Sequence, residues 1–165
     1  MKIKDLVYIA LFTSMMIVLT CVITIPIGIY GYINLSDLLI MLLSSVYGFG
    51  PLVIIGGVGC ALSDLFLGYS SYALFSFFIK SIESIIVVFF VKRFRPRFRF
   101  IAYLIGGLWM LVGYALSDAI LGASFALMVP SFIANLPQAL ICVSAAALIN
   151  IPFERFVGTK INETK

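Results

Sequence analysis

The chain has 165 residues, of which 63% are hydrophobic and only 11% charged, and its formal net charge is +4. Soluble domains carry about 25% charged residues, so this composition, with a mean hydropathy of +1.20, indicates an integral membrane protein. The length leaves no room for a separate soluble catalytic domain, and we expect one domain over residues 1–165. Histidine is absent from the sequence, which excludes histidine-based zinc sites and histidine general bases.

Apolar segments of roughly membrane-spanning length recur six times along the chain, since about 20 residues cross a bilayer as a helix. They lie near Leu6–Ile25, Leu35–Phe49, Pro51–Leu67, Ala73–Val91, Phe100–Leu121 and Pro130–Ile151. The second is the shortest, and Gly48-Phe49-Gly50-Pro51 predicts a tight turn that joins it to the third as an antiparallel pair. The first lacks a small-residue cleavage site, so we interpret it as a helix rather than a signal peptide. The predicted fold is an all-α membrane protein with six transmembrane helices.

The basic residues predict the orientation of this bundle. Ten of the eleven fall on one side of the predicted topology: Lys2, Lys4, Lys92, Arg93, Arg95, Arg97, Arg99, Arg155, Lys160 and Lys165. The positive-inside rule then places both termini in the cytoplasm. Topology and contact with anionic lipid explain the basic connection between the fourth and fifth helices, so a nucleic-acid partner is not expected.

Small residues mark two places where helices can approach closely. Gly56-Gly57-Val58-Gly59 lies inside an apolar helix, without the preceding strand or the following Lys-Ser or Lys-Thr of a nucleotide-binding loop. Close helix packing is therefore the favoured interpretation. Ala10 and Ser14, four residues apart in the first helix, form a second small pair. The cysteines occupy separate apolar segments and are interpreted as packing residues rather than disulfides: Cys21, Cys60 and Cys142.

Ionisable residues occur inside the apolar segments, where a charge costs about 3 kcal/mol or more and usually lines a polar cavity. They are Asp37, Asp64, Lys80, Glu83 and Asp118. In the predicted topology they converge on the outer half of the membrane, together with further polar groups: Asn34, Tyr69, Tyr72, Ser76, Asn135 and Gln138. The pattern predicts a binding site that is open to the exterior and closed toward the cytoplasm.

Other interpretations of these residues stay open. Lys80 could neutralise Glu83 or Asp64 in a structural ion pair, and Asn135 and Gln138 could hold helices together by hydrogen bonds. A self-sufficient secondary transporter would need an ionisable path through both halves of the membrane, which the inner halves of the helices lack. An intramembrane enzyme using Asp64 and Glu83 as acid and base would need a nucleophile or metal set that the sequence does not supply.

Several segments together resemble the substrate-binding S component of bacterial energy-coupling factor (ECF) vitamin transporters. They are the pair Ala10 and Ser14, Ile33-Asn34-Leu35-Ser36-Asp37, Gly59-Cys60-Ala61-Leu62-Ser63-Asp64-Leu65 and Lys80-Ser81-Ile82-Glu83. With the six-helix plan, the resemblance covers nearly the whole chain. It is strongest to the riboflavin-type branch, which includes hydroxymethylpyrimidine and pyridoxine carriers.

The resemblance implies a non-enzymatic subunit in the bacterial plasma membrane that binds a vitamin and has no cofactor or metal of its own. Its partners would be a transmembrane coupling subunit, docked on Ala10 and Ser14, and two ABC-type ATPases. Family members often have two alanines four apart in the first helix, so Ser14 is a mild departure. The lysine, carboxylates and tyrosines of the predicted site suit a small heteroaromatic ring, which favours hydroxymethylpyrimidine or a pyridoxine-type B6 vitamer.

Overall fold

In the computed structural model, which describes residues 3–26 and 32–158, the chain forms a bundle of six helices. The helices are α1 (Ile3–Val22), α2 (Ser36–Leu43), α3 (Phe49–Phe66), α4 (Ser70–Arg93), α5 (Arg99–Leu121) and α6 (Met128–Phe153). One antiparallel strand pair, β1 (Ile25–Pro26) and β2 (Tyr32–Ile33), follows α1. Five of the six helices are long and apolar enough to cross a membrane, so the prediction of a helical membrane fold is confirmed.

The second helix is much shorter than the segment Leu35–Phe49 predicts. It has eight residues, seven of them buried, and rises about 12 Å, less than half of the hydrocarbon thickness. The hydroxyls of Ser44 and Ser45 donate back to the carbonyls of Met41 and Leu42, at 2.6 and 2.8 Å, and thereby compete with helix continuation. Because protein surrounds this segment, non-helical backbone beside it is tolerated at membrane depth. The count of six spans stays a prediction.

The glycine cluster permits close contact between α3 and its neighbours, as the sequence predicts. A Cβ atom on Gly57 would lie 2.2 Å from the Ser81 hydroxyl of α4, and one on Gly59 would lie 2.7 Å from Met16 of α1. The helix widens to π-helical geometry over Ile54–Val58, so a wider turn occurs at the point of closest approach. The nucleotide-binding alternative gains no support, since the cluster is buried between helices.

The helices pack in a defined order around α2. α1 lies against α3, α3 against α4, α4 against α5, and α5 against α6, while α2 contacts α1, α4 and α6. α1 is peripheral, with only Ile9, Met16 and Thr20 buried among its 20 residues. The bundle core is therefore built mainly by α2 to α6, and α1 leaves most of its surface free.

Two opposite ends of the bundle differ in chemistry. The basic end contains the connection between α4 and α5, where the Arg99 guanidinium donates to the Glu154 carboxylate at 2.5 Å. Lys92 lies there too, 5.0 Å from the ring centroid of Phe49, where α3 begins. We call the opposite end, where the strand pair and the last turn of α3 meet, the pocket end. Of the basic residues used to predict orientation, Lys2, Lys160 and Lys165 lie outside the described residues.

Candidate functional site

A small cavity of about 20 Å³ lies at the pocket end, with room for about one water molecule. Its walls combine phenol rings, amides and one carboxylate: Tyr32, Asn34, Asp64, Tyr69, Tyr72, Tyr114, Asn135 and Gln138. These side chains come from the strand pair, from α3, α4, α5 and α6, and from the connections that precede α2 and α4. The arrangement brings together residues separated by more than 100 positions in the sequence.

The strand pair positions one wall of the cavity. β2 pairs with β1 so that Tyr32 lies opposite Pro26, and the Tyr32 hydroxyl donates to Oδ1 of Asp64 at 2.5 Å. Burial and the neighbouring carboxylate raise the pKa of the Tyr32 phenol above its ordinary value, so the hydroxyl keeps its proton. The Tyr32 ring also contacts Tyr69, with centroids 5.0 Å apart. This hydrogen bond and ring contact fasten the strand pair to the ends of α3 and α4.

Asp64 lines the cavity and has one carboxylate oxygen without a hydrogen-bond partner among the described residues. The residue lies in the last two turns of α3 and is 3% exposed. Its Oδ1 atom accepts the Tyr32 hydroxyl, whereas Oδ2 has no hydrogen-bond partner among the described residues. A buried acceptor without a partner is costly, which marks Oδ2 as a place for a donor group of a ligand.

A second carboxylate lies behind the cavity wall rather than in it. Asp118 of α5 accepts hydrogen bonds from the hydroxyls of Tyr72 and Ser131. The Tyr72 ring stands between this carboxylate and the cavity, and it contacts the Tyr69 ring edge to face at 6.3 Å. Asp118 therefore fixes the position of Tyr72, and it links α4, α5 and α6 at the pocket end.

Ser76 has a similar supporting position. Its hydroxyl shares a hydrogen bond of 3.0 Å with the Tyr114 hydroxyl, which holds that ring against the cavity. Tyr114 is the α5 residue that closes the cavity toward the middle of the bundle. The Lys80 ammonium lies 5.6 Å from the Tyr114 ring centroid.

A buried charge network lies beneath the cavity. The Lys80 ammonium pairs with the carboxylates of Asp37 and Glu83, the latter at 3.0 Å, and all three side chains are fully buried. The Gln138 amide donates to Oδ2 of Asp37 at 2.5 Å, and its carbonyl accepts the Asn34 backbone N–H at 2.7 Å. We call Asp37, Lys80, Glu83 and Gln138 the charge network. It joins α2, α4 and α6, and Gln138 is its one member that also lines the cavity.

The predicted site residues thus fall into two layers. Six line the cavity: Asn34, Asp64, Tyr69, Tyr72, Asn135 and Gln138. Five lie behind it: Asp37, Ser76, Lys80, Glu83 and Asp118. Lys80 is paired with Glu83, one of the two partners considered from sequence, but its second partner is Asp37 and not Asp64. Whether any of these residues binds a ligand stays a prediction.

Sequence reasoning missed Tyr32 and Ser131. Tyr32 lies in a strand of two residues, which is too short to show alternation, and Ser131 is one of many serines in apolar segments. The proximity of Tyr32 to Asn34, two residues on, was the signal that could have identified it. Among the described residues, no group of three or more potential metal ligands comes together.

The small pair of α1 lies on the surface, away from the cavity. Ala10 and Ser14 are both exposed, and the Ser14 hydroxyl donates to the Ala10 carbonyl at 2.9 Å. The donor of the Ser14 hydroxyl is therefore used within the helix. Exposed Val7 and Leu11 flank the pair.

The fold and this cavity define a class: a multi-pass helical membrane protein with a polar, tyrosine-lined pocket at one end. Residues 1–154 match the family model described as ECF-type riboflavin transporter, S component, and the chain belongs to that family. A protein of Pyrococcus woesei, described as an uncharacterized protein in the gap 3'region, is 43% identical over 101 residues. That match covers 59% of this chain and 66% of the Pyrococcus woesei protein, so it extends over just under two thirds of that relative.

Proposed function

We propose that this protein is the membrane-embedded substrate-binding subunit of an ECF-type importer and that its ligand occupies the cavity at the pocket end. The observation that carries the proposal is the convergence of six sequence-predicted polar residues on one cavity. Membership of the S component family supports the same role. The subunit binds a small vitamin or vitamin precursor and does not act as an enzyme.

The cavity chemistry favours a small heteroaromatic ligand. Phenol rings offer faces for stacking, while the amides of Asn135 and Gln138 and the Asp64 carboxylate offer donors and acceptors for ring substituents. Lys80 is already engaged by two carboxylates, so it does not provide a free positive charge for an anionic ligand. Hydroxymethylpyrimidine and pyridoxine-type B6 vitamers fit these requirements.

A vitamin needs more space than the cavity provides, so the walls must move. Tyr69 lies in the connection between α3 and α4, and Tyr32 lies on the strand pair, so both rings belong to short connections rather than to the interior of long helices. Outward movement of these two rings opens the cavity, and their return closes it over the ligand.

The two ends of the bundle and the exposed face of α1 suggest how the protein is oriented and where its partners bind. The basic end faces the cytoplasm, so the pocket end faces outside. A transmembrane coupling subunit docks against the exposed face around Ala10 and Ser14, where these two small side chains permit close helix approach. Two ABC-type ATPases supply the energy for uptake, and the complex resides in the bacterial plasma membrane.

Uptake into proteoliposomes tests the proposal. The purified chain should bind hydroxymethylpyrimidine or pyridoxine saturably in a calorimetric titration, and liposomes that hold the chain with the coupling subunit and ATPases should accumulate that compound when ATP is inside. Liposomes that hold the chain alone should not accumulate it. Accumulation by the chain alone, driven by a sodium or proton gradient, would contradict the proposal and establish a secondary transporter.

A further inference from the structure

Buried carboxyl groups outnumber buried basic groups in and around the cavity. Four carboxylates at the pocket end and in the network are at most 4% exposed, whereas Lys80 is the one buried cation among the described residues. The buried carboxylates are Asp37, Asp64, Glu83 and Asp118. Lys80 forms its ion pairs with Asp37 and Glu83, and Asp64 has no ion pair among the described residues.

The tyrosine rings add to this negative character. The hydroxyls of Tyr32 and Tyr72, two residues of the cavity lining, donate to the carboxylates of Asp64 and Asp118, which increases the electron density of their rings. Four tyrosines line the cavity together with one carboxylate. Such enclosures of aromatic rings recognise cations, because the ring faces attract positive charge once water is excluded.

From this arrangement we infer that the ligand binds as a cation, with its positive charge on a planar heteroaromatic ring placed against Oδ2 of Asp64 and between the tyrosine rings. The inference rests on the proposed function and specifies the ligand class of the same cavity. Oδ2 is buried and has no partner among the described residues, so a ring N–H or amino group of a protonated aminopyrimidine or a pyridinium would satisfy it. A cationic ligand beside Asp64 would favour the ionised form of this buried carboxyl group, whereas a neutral ligand would not.

Within the described ranges, Lys80 is the one buried positive charge that could oppose a cationic ligand. It approaches the Tyr114 ring at 5.6 Å, but the two carboxylates that contact it offset its charge. Tyr114 also separates Lys80 from the cavity, whose lining does not include the lysine. The field within the cavity is therefore set by Asp64 and the phenol rings.

A pair of probes that differ in charge tests this inference directly. The cation 3-hydroxymethyl-1-methylpyridinium has a fixed charge but no ring N–H, and 3-methylbenzyl alcohol is its neutral isostere, so the pair tests the attraction of charge alone. In calorimetric titrations of the detergent-purified chain, the pyridinium should bind about thirtyfold more tightly than the alcohol. Asp64→Asn should remove most of this preference, while Glu154→Gln, the matched carboxylate change at the basic end, should retain it.

A second pair of variants guards against a folding artefact. Tyr69→Phe keeps the ring and should keep affinity for the pyridinium, whereas Tyr69→Leu should lower that affinity about tenfold without changing affinity for the alcohol. Equal binding of both probes, or full pyridinium affinity in Asp64→Asn, would overturn the inference. If neutral riboflavin binds and Gln138→Ala weakens it, the proposed function stands and the cationic class is wrong. If the protein melts cooperatively but binds neither probe and no riboflavin, the proposed function and the cationic ligand class are both wrong.

Discussion

The cavity lining and the charge network beneath it contain similar side chains, but their bonding differs. In the network, Lys80 contacts two carboxylates and Gln138 uses both ends of its amide. Among the described residues, Asp64 in the lining and Glu83 in the network each keep one buried carboxylate oxygen without a hydrogen-bond partner, but only Asp64 lines the cavity. Bonds already made within the protein stabilise the fold, whereas an unpaired group is available to a ligand where it lines the cavity. The comparison separates structural polar groups from candidate binding groups that lie only a few ångströms apart.

The largest effect of a single substitution is expected in the charge network, where it lowers folding stability. Lys80→Ala would leave the buried carboxylates of Asp37 and Glu83 without their cation, which costs about 3 to 5 kcal/mol of folding stability. A substantial fall in the melting temperature of the detergent-solubilised protein is the expected result, and any ligand affinity that depends on Gln138 should fall with it. Arg95→Ala, an exposed change at the basic end, is the matched control and should melt like the wild type. An unchanged melting temperature in Lys80→Ala would show that the network contributes nothing to stability.

An intermediate effect on stability, together with a loss of ligand affinity, is expected at Gln138, which belongs to both the cavity lining and the charge network. Gln138 both lines the cavity and bonds to Asp37, so Gln138→Ala should lower ligand affinity by about thirtyfold, which corresponds to about 2 kcal/mol. It should lower the melting temperature less than Lys80→Ala does. Titration and thermal melting of the same sample give both values. Full affinity together with a large loss of stability would assign Gln138 to the network alone.

The smallest effect on binding is expected on α1, which belongs to neither layer. Ala10→Leu and Ser14→Leu enlarge exposed side chains far from the cavity, so ligand affinity should stay within about twofold of the wild type. Transport by the full complex should nevertheless be blocked, because the larger side chain prevents close docking. Val22→Leu, an exposed change in the last turn of the same helix, serves as the control for uptake. Normal uptake by both leucine variants would exclude this face as the docking surface.

Much of this arrangement could be predicted from the sequence because apolar length and buried charge are strong signals. The fifth predicted helix, Phe100–Leu121, differs from α5 by one residue, and the polar residues of four helices do converge at one end. An ion pair of Lys80 with Glu83 was also one of the interpretations of the sequence, and the two are paired.

The remaining features depend on tertiary contacts that local patterns do not encode. Asp37 reaches Lys80 across 43 positions, so the network could not be separated from the cavity by sequence spacing. The early end of α2 follows from serine hydroxyls that bond back to the backbone inside an apolar run. Tyr32 contributes through a strand of two residues that only its pairing with Ile25 and Pro26 defines.

The central claim, that the ligand binds at the pocket end, is tested most directly by two asparagines of α6. Asn135 lines the cavity, while Asn150 lies toward the basic end of the same helix, and both are buried, at 4% and 2% exposure. Calorimetric titration with hydroxymethylpyrimidine and pyridoxine should show at least tenfold weaker binding for Asn135→Ala and unchanged binding for Asn150→Ala. Unchanged affinity in Asn135→Ala, with loss of affinity in Asn150→Ala, would contradict the claim and place the site at the other end of the bundle.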